Sequence, residues 1–133
     1  MLASEVYPYA KTGGLADVLA ALPRALAGAG VEVTVCAPGY RTALRAAGGP
    51  PPGMRLHAPV GSRMEPADVV RVPGAPVPTV LLRADRYFDR DGLYGEGGRD
   101  WPDNAERFAF FCRAALEWLR AAAEPPDVLH VHE

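Results

Sequence analysis

Residues 12–40 read TGGLADVLAALPRALAGAGVEVTVCAPGY, and the order of patterns inside this stretch decides the fold class. Leu15, Val18, Leu19, Leu22 and Leu26 recur at the spacing of one helix face, which predicts an amphipathic helix from Gly14 to Ala27 that stops at Gly28 or Gly30. Pro23 lies inside that helix and removes an amide from its ladder, so a kink near Leu19 to Leu22 is expected. The following VEVTVCAP, Val31 to Pro38, alternates β-branched residues and ends in Pro-Gly, a strand and then a turn. Helix, glycine stop and strand form the second half of a βαβ unit. Of its first half only Met1, Leu2 and Ala3 precede SEVYPY, against the roughly five residues of an ordinary strand, so the first strand is clipped.

The rest of the chain extends this pattern. Residues 41–47 suit a short helix, and GGPPPG after it is a spacer. Met54 to Val60, Val69 to Val72 and Val77 to Ala84 read as three short strands of a small antiparallel β insert. Asp85 to Pro102 mixes charge, glycine and aromatics without a period, a loop of functional length. Asp103 and Glu106 have the spacing of a capping box, opening a helix that lasts to about Ala123 and buries Phe108, Cys112, Ala115, Leu116 and Leu119. DVLHVH, Asp127 to His132, reads as a buried parallel strand. Strands and helices in this order predict an α/β fold, a Rossmann-like doubly wound, mostly parallel sheet whose ligands bind beyond the carboxyl ends of the strands. The Lys11 loop and His132 both belong at that edge.

Composition narrows the function. The 133 residues carry 14 Lys+Arg against 16 Asp+Glu, a formal charge of -2, with no basic footprint for nucleic acid or an anionic membrane. No apolar run approaches the ~20 residues that span a bilayer, and no signal-peptide pattern opens the chain, so a cytoplasmic protein is expected. Cys36 and Cys112 lack metal-site spacing and are expected as buried reduced thiols. His130 and His132 share a strand face, but no third ligand accompanies them, and neither metal nor cofactor is expected. Trp101 and Trp118 read as packing residues.

Lys11, the only lysine, and the pair Gly13-Gly14 stand directly before the first helix. Glycine is poor inside a helix and lysine suits the opposite end. Helix amides left unpaired, a backbone without side chains and a nearby cation together suit a phosphate or pyrophosphate. The alternative is a turn that merely needs positive φ, with Lys11 in solvent. Asp17, in the first turn, could complement the helix dipole, hold Lys11 or bond a sugar hydroxyl. Neither GxGxxG nor GxxxxGK[ST] is present, so the dinucleotide and P-loop fingerprints do not apply.

SEVYPYAKTGGLADVLAALPRAL, Ser4 to Leu26, resembles the N-terminal signature of bacterial glycogen synthases and plant starch synthases. VTVCAPGY, DRYFDRDGLYG, DNAERFAFFCRAALE and PDVLHVHE continue the likeness in the same order. The resemblance implies the N-terminal half of a GT-B fold, two Rossmann-like domains across a cleft, that transfers glucose from ADP-glucose to the non-reducing end of an α-1,4-glucan (glycogen) with retention and without metal. Residues 1–133 would then be a partial N-terminal domain, without the C-terminal nucleotide-binding domain and expected to be inactive in isolation. By resemblance Lys11 contacts the sugar nucleotide, Gly13 and Gly14 shape its loop, Tyr94 lines the cleft and Asn104 begins the matching helix. His132 is the candidate catalytic residue near the donor glucose. Glu133 departs from the family's aspartate by one methylene. A UDP-sugar transferase of the same architecture, a non-catalytic phosphate- or sugar-binding module and a regulatory fragment are the alternatives.

Overall fold

The computed structural model describes residues 1–132; Glu133 lies outside the described residues. Helix α1, Leu15–Gly28, runs through Pro23 as one element. It ends at Gly30, whose φ of 87° lets Gly30 N–H reach Ala27 O at 3.0 Å and Val31 N–H reach Leu26 O at 3.0 Å, the paired bonds of a Schellman stop. The buried side of α1 is Ala16, Leu19 and Pro23, while Val18 is 44% exposed, so the apolar stripe read from the sequence is only partly used.

Strand β1, Val35–Pro38, is buried throughout and is shorter than the expected strand. Helix α2, Arg41–Ala46, follows it, and then β2 (Arg55–Val60), β3 (Arg63–Arg71) and β4 (Thr79–Arg83). The sheet order is β1-β4-β3-β2, with β4 parallel to β1 and the β4-β3 and β3-β2 pairs antiparallel. The three expected strands therefore do not form a separate insert: β2 and β3 make a hairpin, and β4 joins it to β1 in one mixed sheet. Among the named strands the sheet is mixed rather than mostly parallel. The parallel side continues only as single bridges, Leu2 to Cys36 and Leu2 to Val131. Leu2 N–H donates to His130 O and His132 N–H to Leu2 O, each at 2.9 Å, so the clipped first strand is a short stitch between β1 and the last segment.

The 85–102 stretch is not structureless. It holds the one-turn helix α3, Asp85–Phe88, and a small hairpin of β5 (Gly95–Glu96) and β6 (Arg99–Asp100). Helix α4, Asn104–Arg120, then lies against β2, β3 and β4. Its inward residues are Arg107, Phe110, Phe111, Ala114 and Ala115, so the face is rotated from the one expected, and Leu116 is 44% exposed. Cys36 is buried and Cys112 exposed, both free, which corrects the expected burial of Cys112. Asp103 does not cap α4; both its oxygens accept from Arg90 at 2.6 Å, and a bidentate pair with arginine outcompetes a single amide. Tyr87 stacks on Phe110 at 4.5 Å and Tyr40 meets Phe88 edge-on at 5.4 Å, closing the core beneath the loop.

The final segment differs from expectation most. Val128 is 77% exposed and Val131 57%, where a buried strand was expected. Its hydrophobic composition was read as burial, but among the described residues its ladder partner is Leu2, on one side. No helix of the described residues is long and apolar enough to cross a membrane.

Candidate functional site

The site is organised by a residue the sequence reading did not single out. Glu5 follows the Leu2 stitch and is only 4% exposed. Its Oε2 accepts Thr12 N–H at 2.8 Å and Gly13 N–H at 3.1 Å, and its Oε1 accepts the Thr12 hydroxyl at 2.5 Å. Tyr94 Oη donates to the same Oε1 at 2.9 Å, and Ser4 Oγ lies 2.7 Å from Tyr94 Oη. Because the single phenolic proton serves Glu5, Ser4 is the donor in its contact with Tyr94. Burial raises the Glu5 pKa, but the bonds from Thr12, Gly13 and Tyr94 outweigh it, and the carboxyl is held below its ordinary value. Burial, opposed by the Ser4 bond and aided by the Glu5 charge, pushes the Tyr94 phenol up to about 12. One carboxylate thus ties the glycine loop to the aromatic loop. The signal available in the sequence was an acid placed just after an apolar stub, eight residues before Gly13.

The loop so held keeps its backbone open. Gly14 has φ -71° and ψ -20°, Gly13 is not among the positive-φ glycines, and a Cβ at either position would meet nothing within 4 Å. The reading in which these glycines serve a positive-φ turn is therefore wrong, and neither internal packing nor backbone conformation demands glycine. What their smallness provides is an unobstructed approach to the backbone from outside, at a helix start where no side chain caps Gly14. Lys11 Nζ lies 2.5 Å from both oxygens of Asp17, with the pair largely exposed. Asp17 therefore holds Lys11, one of the roles open to it. An exposed pair contributes little, so a polyanion at the loop could recruit Lys11 at small cost.

Tyr94 also faces a cleft of about 440 Å³, lined by Leu2, Ser4, Phe108, Phe111, Cys112, Val131 and His132. His132 stacks on His130 with ring centroids 4.3 Å apart, and its Nε2 is buried without a hydrogen-bond partner among the described residues. Burial first, then the His130 and N-terminal charges, hold the His132 pKa below its ordinary value, so the ring is neutral at pH 7. Asn104 does not face the cleft as a free amide. Its Nδ2 donates to Tyr94 O at 2.8 Å and its Oδ1 accepts Arg107 Nη1 at 2.6 Å, so it anchors the backbone of Tyr94. Among the described residues no group of three His, Cys, Asp or Glu is placed to hold a metal ion. Trp118 packs against the core as expected, and the Arg90 guanidinium sits 5.3 Å above the Trp101 ring.

This fold is that of a starch synthase catalytic domain: the solved catalytic domain of starch synthase IV from Arabidopsis thaliana, bound to ADP and acarbose, matches with a TM-score of 0.77. The likeness covers 95% of this chain and 26% of that one at 26% identity. The model of the starch synthase catalytic domain family matches residues 1–133, and the chain belongs to that family. Among curated relatives, a glycogen synthase of Opitutus terrae is 44% identical over 99% of this chain and 28% of its own length. One from Anaeromyxobacter dehalogenans (strain 2CP-C) is 48% identical over 99% of this chain and 27% of its own. The chain thus spans little more than a quarter of the relatives it matches.

Proposed function

We propose that residues 1–133 are the N-terminal part of a glycogen synthase that transfers glucose from ADP-glucose to the non-reducing end of an α-1,4-glucan with retention. The observation that carries this reading is the Glu5 junction. It holds an open glycine backbone and Lys11 on one side and the Tyr94 edge of a largely apolar cleft on the other, a polyanion site beside a sugar-sized space. The described sheet is the beginning of a Rossmann-like, doubly wound domain, and a second domain outside these residues completes a GT-B cleft and most of the nucleotide site. The starch synthase of Arabidopsis that shares this fold was solved with ADP and acarbose, a nucleoside diphosphate and a glucan-like oligosaccharide, which supports donor and acceptor of those classes.

The chemistry assigned to the chain's own residues is positional and electrostatic. As the sugar–phosphate bond breaks, negative charge grows on the departing diphosphate. With the Gly13 amide given to Glu5, it is the Gly14 amide at the helix start and the Lys11 ammonium that favour that state over the ground state. A neutral His132 can orient sugar hydroxyls by hydrogen bonding without placing a second cation near an oxocarbenium-like centre. Tyr94 supplies an apolar ring face with its hydroxyl already committed to Glu5.

Glucose transfer to glycogen by the complete gene product, with ADP-glucose and UDP-glucose as alternative donors, tests the reading. Transfer from ADP-glucose that collapses in Lys11→Ala is the expected result. Preference for UDP-glucose moves the donor assignment, and folded protein that transfers from neither donor overturns the enzyme reading. Residues 1–133 alone are expected to give no transfer.

A further inference from the structure

Arg107 is the largest fully buried side chain of the described residues, on a helix face otherwise made of Phe and Ala. Its Nε donates to Tyr87 O at 2.7 Å, and its Nη1 to Leu93 O at 3.0 Å and to Asn104 Oδ1 at 2.6 Å. The guanidinium lies 5.3 Å from the Phe88 ring centroid and 5.5 Å from that of Phe108. A buried cation without a carboxylate partner is costly, and here carbonyl dipoles and two ring faces offset that cost. Those carbonyls belong to both ends of one loop. Tyr87 and Leu93 bracket the segment that leads into Tyr94, and Asn104 in turn fixes Tyr94 O.

We propose that Arg107 is a positioning residue that clamps the loop between Tyr87 and Tyr94, sets the Tyr94 hydroxyl on Glu5, and through Glu5 fixes the Lys11–Gly14 loop. The chain of contacts is continuous: Arg107 to Leu93 O and Asn104, Asn104 to Tyr94 O, Tyr94 to Glu5, Glu5 to the amides of Thr12 and Gly13. The planar fork serves Tyr87 O from Nε and Leu93 O with Asn104 Oδ1 from Nη1, whereas a lysine in the same place would have to reach all three from a single nitrogen. A merely space-filling role would not require that the bonded carbonyls flank the residue carrying the site's aromatic ring. The consequence for function rests on the reading of the Lys11 loop as the donor site, whereas the clamp itself does not.

Hydrogen exchange on the complete gene product, read peptide by peptide, separates the two. In Arg107→Lys, residues 88–103 should exchange about tenfold faster, the loss expected when a bond to a charged group is removed. Residues 12–14 should quicken with them, while the peptides of β1 and β4 keep their protection. Tyr94→Phe should quicken residues 12–14 and leave residues 88–93 unchanged. Should Arg107→Lys not fold, Asn104→Ala carries the same test, because it removes the link from Arg107 to Tyr94 O while leaving the buried guanidinium in place. Faster exchange in residues 88–103 with residues 12–14 unchanged would overturn the proposal. Loosening of both regions with an unaltered KM for ADP-glucose would uphold the clamp and count against the donor site, and a raised KM with retained kcat upholds both.

Discussion

Two polar regions of this molecule use the same kinds of side chain to opposite ends. Along the β2–β4 sheet, Arg55 pairs with Asp68 and Arg83 with Asp85 beside a groove of about 370 Å³, while Arg63 pairs with Glu65 and, on α4, with Glu106. At the Glu5 junction one carboxylate receives two amides and two hydroxyls from two segments, the loop at Thr12–Gly13 and the far-off Tyr94. The first region has many charges, most of them half in water, and apart from Arg63–Glu106 each pairs with a near neighbour across a strand pair or two residues along. The second has few charges, is buried, and ties the glycine loop and the aromatic loop to one carboxylate. Counting ion pairs would rank the first region higher; desolvation and connectivity rank the second.

The largest effect should follow from emptying the junction. Glu5→Ala removes the acceptor for Thr12, Gly13 and Tyr94 together, and the loop amides regain water while the phenol does not. A loss of about 2–4 kcal/mol is expected, the range for charged hydrogen bonds reduced by partial rehydration. Urea unfolding of the complete gene product measures it. A shift no larger than that of a typical surface substitution would mean that the junction is decoration.

The pH dependence sharpens the same point. The Glu5 carboxyl sits below its ordinary value of 4.5 because its hydrogen bonds exceed the penalty of burial. The folded state therefore binds this proton less readily than the unfolded chain does. The stabilisation is complete above that ordinary value and is lost as pH falls through the depressed one. Glu5→Gln should flatten the acid limb of the stability profile below about pH 4.5 while leaving its slope near neutrality unchanged. An acid limb identical in the two proteins would assign the titration to the exposed carboxylates instead.

Where the pattern was local, the sequence carried it. The α1–Gly30–β1 order was legible because helix period, glycine stop and β-branched strand each follow from near neighbours. The phase of α4 was not, since a charged side chain such as Arg107 adds nothing to an apolar period; the fold buries it and turns Leu116 outward. The parallel pairing of β4 with β1 depends on contacts far along the chain, which periodicity does not encode, and the two-residue strands of hairpin β5–β6 are too short to show a period. In the site, Lys11, Gly13, Gly14 and Asp17 were legible from their unusual place before a helix. Glu5 was not, because an isolated acid reads as solvated until the Thr12–Gly13 loop and Tyr94 converge on it. Asn104 was found for its place in a motif, but its amide faces inward to Tyr94 O and Arg107.

A smaller structural effect, and a large functional one, is expected at Gly13. Since its φ is not in the left-handed region and an added Cβ meets nothing within 4 Å, Gly13→Ala should change stability by no more than about 0.5 kcal/mol. If the open backbone is there for a ligand, the same methyl should raise the KM for ADP-glucose, because it projects where the diphosphate would approach. Unaltered stability with unaltered KM would leave the glycine without a role in donor binding and return the loop to a structural feature held by Glu5.

The smallest effect belongs to the other region. Arg55 makes a bidentate contact with Asp68, its Nε at 2.7 Å and its Nη2 at 3.1 Å, yet its side chain is 64% exposed. Solvent already screens the pair, and fixing a long side chain to make it costs entropy that the contact must first recover. Arg55→Ala should therefore leave the unfolding midpoint nearly unchanged at physiological ionic strength, with what little effect exists fading as salt is added. A loss comparable to that of Glu5→Ala would break the contrast between the regions. It would show that the cross-strand register Arg55↔Asp68, rather than the charge itself, is what the pair secures, since β2 is an edge strand whose other neighbour is α4. Restoring stability with Arg55→Thr, a strand former without charge, would then separate register from electrostatics.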